Sequence, residues 1–66
     1  MKLGQIVYTV NGKTNKVDTW EVAGMMDTPN GVMVHLTTLS GKSYCFLPRN
    51  CVFETREKAL EIANKR

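Results

Sequence analysis

Sixty-six residues make one domain rather than two, and a chain this short buries only about 60% of the surface its unfolded form exposes, which leaves little room for a deep, dry active-site pocket. Hydrophobic residues at 42% and charged residues at 23% are values of a globular chain and exclude a disordered one. Nine Lys and Arg against six acidic residues give a net charge of +3, a mild excess that suits nucleic acid without demanding it.

The start of the chain, Met1-Lys2-Leu3-Gly4, lacks the apolar run of a signal peptide. No stretch approaches the roughly 20 apolar residues that span a bilayer. A soluble, cytoplasmic protein with no membrane partner is the expectation. Cys45 and Cys51 do not make a disulfide framework, and two Cys with one His fall short of four zinc ligands. Two reduced thiols partly in the core are expected, with no metal and no cofactor.

Gln5 to Val10 alternates Ile6, Tyr8 and Val10 with Gln5, Val7 and Thr9, a period-two pattern of β-formers that predicts the first strand. Asn11-Gly12 ends it as a hairpin signal, and Lys13-Thr14-Asn15 lengthen the loop. The second strand is expected from about Lys16 to Met25, with Trp20 and Val22 on one face and Thr19 and Glu21 on the other. Val17 is out of phase with Trp20, which suggests a bulge between them. Gly24 marks a bend or an end.

Asp27-Thr28-Pro29-Asn30-Gly31 reads as a turn. Val32 to Thr38 forms the third strand, with Val32, Val34 and Leu36 opposed to Met33, His35 and Thr37. Leu39 to Lys42 closes the next hairpin. The fourth strand, Ser43 to Leu47, sets Tyr44 and Phe46 against Cys45 and Leu47. Pro48 cannot donate to a ladder, so a tight turn, of the 3₁₀ kind, fits at Pro48-Arg49-Asn50. Cys51-Val52-Phe53 is a short fifth strand. Thr55 then caps a helix to about residue 65, with Glu57 in its first turn and Lys65 and Arg66 at its end. Ala59, Leu60, Ile62 and Ala63 give it an apolar side, which must dock on an open end or edge of the β-structure. Five short strands, glycine-bearing turns and a terminal helix suggest a mainly β fold, a small barrel occupying the whole of residues 1–66.

Pro48, Asn50 and Val52 match the Pro-x-Asn-Tyr-Val stretch that precedes the last strand of SH3 domains, with Cys51 where that family has Tyr. The beginning of the chain has no Ala-Leu-Tyr-Asp-Tyr stretch, and Trp20 lies too far upstream to be a ligand-contacting Trp, so the resemblance implies the SH3-like fold and not polyproline binding. Three further segments extend it: Gly4-Gln5-Ile6-Val7-Tyr8, Trp20-Glu21-Val22, and Val52-Phe53-Glu54-Thr55-Arg56-Glu57-Lys58-Ala59. Together they resemble small uncharacterised SH3-like barrel proteins of bacterial phages and mobile elements. That resemblance implies a five-stranded SH3-like barrel and a bacterial or phage setting; it carries no mechanism.

The lone His35 lies on the polar side of a predicted strand and is read as solvated; with Cys45 or Cys51 as nucleophile it would be a general base. Asp18 and Glu21 fall on opposite faces of a regular strand and form no acid pair unless a bulge intervenes. No phosphate-binding loop or HExxH motif is present. Trp20, Tyr8, Tyr44 and Phe46 are expected in the core, the rival role for Trp20 being an exposed stacking platform beside Tyr8 or Tyr44. Met25-Met26 beside a turn can form an adaptable contact patch.

Lys13, Lys16, Lys42 and Arg49 sit in predicted turns. If hairpin loops converge at one end, they make a positive rim around Tyr44 or Trp20 that could track a phosphate backbone while an aromatic stacks on a base. The leading expectation is a non-catalytic binding module with a protein partner, a monomer or a weak homodimer paired through an uncovered strand edge. A nucleic-acid-binding barrel using Lys13, Lys16, Trp20, Lys42, Tyr44 and Arg49 is the alternative, and a thiol-based enzyme the third.

Overall fold

The structure, a computed structural model, describes residues 1–65. Four strands, β1 (Ile6–Val10), β2 (Val17–Thr28), β3 (Gly31–Thr37) and β4 (Tyr44–Pro48), form one antiparallel sheet in sequence order. A 3₁₀ turn (Arg49–Cys51) and one helix, α1 (Arg56–Asn64), follow. The mainly β class with a short C-terminal helix is as expected. The named strands form an open four-stranded sheet. The expected fifth strand is reduced to a single bridge, in which Tyr8 and Phe53 exchange two backbone hydrogen bonds of 2.8 Å. The 3₁₀ turn takes up Cys51, and the chain turns into the helix two residues after Phe53, so no length remains for a ladder.

One face of the sheet holds the core. Val7, Val22, Val34, Leu36 and Val52 are buried, with Met1, Trp20, Cys45 and Leu47 packed against them. Alternation decides who is inside, because side chains on a strand point to opposite faces at every step. Val7 lies opposite Trp20, Leu36 opposite both Val22 and Cys45, and Val34 opposite Leu47, so these residues share a face. Tyr44 and Phe46 must then point outward. They are 69% and 47% exposed, which corrects the expectation that they are core. Trp20 does pack on the core, and its indole N–H donates to the Thr9 hydroxyl at 2.9 Å. Thr9 is buried, and this bond satisfies its side chain.

Two turns differ from expectation in detail. In the first hairpin the side chain of Asn11 accepts from the backbone N–H groups of Lys13 and Thr14, and the left-handed residue is Asn15, not Asn11 or Gly12. β2 runs three residues beyond Met25, to Thr28, leaving Pro29-Asn30 as a tight turn into Gly31 at φ +116°. Only glycine takes that conformation without strain.

The β-bulge lies at Ala23, between the Val22–Leu36 and Gly24–His35 pairs. Between Val17 and Trp20 the pairing to β1 is regular, so no bulge is there. A half-buried Val17 needs none, since it faces Val10 at the end of the pair.

Thr55 caps α1 as expected, its hydroxyl accepting from the Lys58 N–H at 3.3 Å. Ala59 and Ala63 are buried, whereas Leu60 and Ile62 remain partly exposed. The small pair lets the helix sit close against β1, with a lesser contact on β2, and the Asn15 side-chain amide donates to the Ala63 carbonyl. Lys65 pairs with Glu61 one turn back; Arg66, the other expected terminal cation, lies outside the described residues. α1 thus covers the β1 side of the molecule and leaves the β3–β4 side of the sheet open. No helix among the described residues is long and apolar enough to cross a membrane.

Candidate functional site

The bulge at Ala23 builds the most distinctive surface of the molecule. Up to Val22 the even-numbered residues of β2 face the core. One extra residue reverses the phase, so Gly24 and Met26 face outward. Across the sheet they fall into two rungs. Gly24 is opposite His35, which is opposite Phe46; Met26 is opposite Met33, which is opposite Pro48. A third rung, Glu21, Thr37 and Tyr44, continues the face toward the β3–β4 loop.

His35 and Phe46 stack with ring centroids 4.5 Å apart and planes 20° from parallel. Tyr44 meets both rings edge-on, at 5.7 Å from His35 and 6.1 Å from Phe46. Offset and edge-to-face arrangements of this kind are the favoured ones for aromatic pairs. Gly24 brings no side chain to its rung. The result is a hollow of about 160 Å³ lined by Gly24, Met25, Met26, Met33, His35 and Phe46. Its walls are soft thioethers on one side and an aromatic stack on the other. Met26 is 53% exposed, so the wall is presented to solvent and not sealed into the core.

The six residues singled out from the sequence do not gather at one place. Lys13 and Lys16 lie in the β1–β2 loop and Lys42 in the β3–β4 loop. In an up-and-down sheet those loops share one end, the end at which Tyr44 begins β4. Arg49 is at the opposite end, where it lines a hollow with Asn30 and Gly31 of the β2–β3 turn, and it pairs with Glu54 at 3.4 Å. Trp20 is on the core face, behind the sheet from Tyr44. A rim combining all four cations with Trp20 is therefore not formed; three lysines and Tyr44 share an end.

His35 and Cys45 are on opposite faces, because His35 pairs with Phe46 and Cys45 with Leu36. The Cys51 thiol is exposed in the 3₁₀ turn, with Sγ 3.7 Å from Asn50 Oδ1. Burial, and secondarily the negative charge of Asp18, push the Cys45 thiol above its ordinary range, away from the thiolate a nucleophile requires. Asp18 and Glu21 stay on opposite faces of a regular segment of β2. Among the described residues no three His, Cys, Asp or Glu side chains are grouped to hold a metal ion.

Of the outward face, the sequence points to Met25-Met26 as a contact patch and sets Met33 with His35 and Thr37 on one side of the third strand, but it places Phe46 in the core. The usable signal was there. Once Val34 and Leu36 are taken as core, Met33, His35 and Thr37 are outward, and the Ser40-Gly41 hairpin sets Phe46 against His35. Comparison of the chain with protein-family profiles, with curated proteins and with solved structures returns no match.

Proposed function

We propose that the chain is a non-catalytic binding module that docks on a protein partner through the outward face of β2–β4. The observation that carries the reading is the contiguous outward-facing set around the Gly24 hollow, in which Met26, Phe46 and Tyr44 are exposed and Met33 and His35 half-buried. An apolar, aromatic and methionine-bearing patch on a small domain costs solubility if it has no use. Met side chains adapt to an incoming apolar group, and Tyr and Phe supply contact area with few torsions to freeze. The partner is an apolar knob or helix face that fills the hollow beside His35.

The architecture belongs with this reading as an SH3-like small barrel in a bacterial, phage or mobile-element setting. The Pro48 turn, the 3₁₀ step after it and the Tyr8–Phe53 bridge support the barrel reading. The setting rests on the sequence resemblance alone.

A nucleic-acid reading draws on one arrangement, the shared end of Lys13, Lys16, Lys42 and Tyr44. An exposed Tyr at the same end of the sheet as three lysines can stack on a base while they follow phosphates. The two readings separate by site. Met26→Lys abolishes protein docking at the hollow and leaves phosphate contacts intact. A Lys13→Glu, Lys42→Glu double variant abolishes binding to single strands and leaves the hollow intact. Loss of partner binding in the second variant but not the first would reverse the order of the two.

A further inference from the structure

We infer that two copies of the chain associate through their β4 strands, forming a weak, two-fold symmetric dimer with one continuous eight-stranded sheet. The inference is independent of the docking face, because it rests on backbone groups at the sheet's edge.

β4 pairs with β3 on one side only. The Thr38 N–H donates to the Ser43 carbonyl at 3.0 Å, which fixes the phase of the ladder. In an antiparallel pair, bonded and non-bonded residues alternate. Ser43, Cys45 and Leu47 therefore turn their backbone groups to β3, and Tyr44, Phe46 and Pro48 turn theirs outward. Among the described residues the outward groups of Tyr44 and Phe46 have no hydrogen-bond partner outside the sheet, while the Pro48 carbonyl opens the 3₁₀ turn and accepts a second bond in the dimer. Native edges are guarded by shortness, proline, inward charges, bulges, lysines or covering elements. β4 is short and has Pro48 at its end, which keeps the pairing weak, but Tyr44-Cys45-Phe46-Leu47-Pro48 carries no charge and its register with β3 is unbroken. α1 packs on β1, at the other side of the sheet.

The edge is complementary to itself. Centred on Phe46, an antiparallel copy pairs every residue of β4. Each Phe46 N–H donates to the other copy's Phe46 carbonyl, and each Tyr44 N–H donates to the other copy's Pro48 carbonyl. Pro48, with no N–H, leaves only the Tyr44 carbonyl without a partner. On the outer face Phe46 meets its symmetry mate and Tyr44 meets proline; on the inner face Cys45 meets leucine. The contact is closed, since each copy uses the same β4 edge and, among the described residues, the β1 edge is occupied at Tyr8 by Phe53 with α1 packed on that strand. A pairing this short buries less than a stable dimer needs, so the association is concentration-dependent.

The test is sedimentation of the intact chain from about 10 µM to about 1 mM, with amide hydrogen exchange at both ends of that range. The expected result is a rise in mass toward twice 7.4 kDa, with Tyr44 and Phe46 amides protected only at the high concentration. Phe46→Lys, at an exposed site, stays folded and monomeric throughout, while Met26→Lys, on the same face but two strands inward, still dimerises. A wild-type chain that is monomeric at 1 mM, about a thousandfold above tight-binding concentrations, overturns the inference. So does a dimer that Met26→Lys abolishes while the Tyr44 and Phe46 amides exchange freely, because that dimer is built on the face. Partner binding retained by a monomeric chain would leave the docking proposal standing alone.

Discussion

His35 and Phe46 sit directly across β3 and β4 with their rings stacked at 4.5 Å, on the side of the sheet away from the α1–β1 contact. A stacked pair at a partly exposed site fixes the orientation of both rings without sealing them from a partner. The hollow beside Gly24 exists because that wall is held in place.

The stack should be measurable as a coupling. Aromatic pairs are worth about 0.5–1.5 kcal/mol beyond the area they bury. A double-mutant cycle with His35→Ala and Phe46→Ala, followed by urea unfolding, should return a coupling in that range. The single variants should remain folded, because neither residue belongs to the buried cluster.

Trp20 and Thr9 give a contrasting pair on the core face. Trp20→Phe removes the donor of the 2.9 Å bond and leaves the Thr9 hydroxyl buried without it. An unsatisfied buried group costs about 1–3 kcal/mol. Adding Thr9→Val should recover part of that loss, since an isosteric apolar group needs no partner. Denaturant midpoints of the two variants check the order.

The two thiols should label at different rates. Cys51 is exposed, and Cys45 is held above the ordinary thiol range by burial first and Asp18 second. Iodoacetamide at neutral pH should modify Cys51 before Cys45, by mass spectrometry of the digested chain. The fold favours the protonated Cys45 thiol, so its contribution to stability is full below the unfolded thiol's pKa and is lost as pH rises through the higher folded value. Asp18→Asn should narrow that alkaline loss.

How far this was legible in the sequence depends on the residue. Strand alternation, the Pro48 turn, the Thr55 cap and the core role of Trp20 follow from local chemistry and could be read directly. Phe46 could not be placed by its own character, because an aromatic on a strand suits either face. Its side was decided by Cys45 and Leu47 pairing with Leu36 and Val34, a long-range fact. The bulge was expected where Val17 broke phase, yet it formed at Ala23 beside Gly24, where a residue without a side chain tolerates the distortion. That shift turned Met26 outward and created the site. Arg49 was grouped with the lysines by charge, but strand direction puts it at the other end of the sheet.

Gly24 tests the hollow itself. A methyl group added there would lie 3.8 Å from His35 Cβ, an ordinary contact. Gly24→Ala should therefore fold, with stability unchanged or raised by up to about 1 kcal/mol through the stiffer unfolded chain. Gly24→Leu should fill the hollow and weaken partner binding while the melting transition stays cooperative.

The most direct test of the docking face is a shift titration that reads methionine methyl and backbone amide signals together. The titrants are apolar peptides selected on the wild-type chain, then single-stranded DNA, duplex DNA and RNA at low and high salt. The account predicts that peptides shift Met26, Met33, His35 and Phe46, and that Met26→Lys abolishes those shifts. Silence on that face, with salt-sensitive shifts at Lys13, Lys16, Lys42 and Tyr44 on adding nucleic acid, would contradict it.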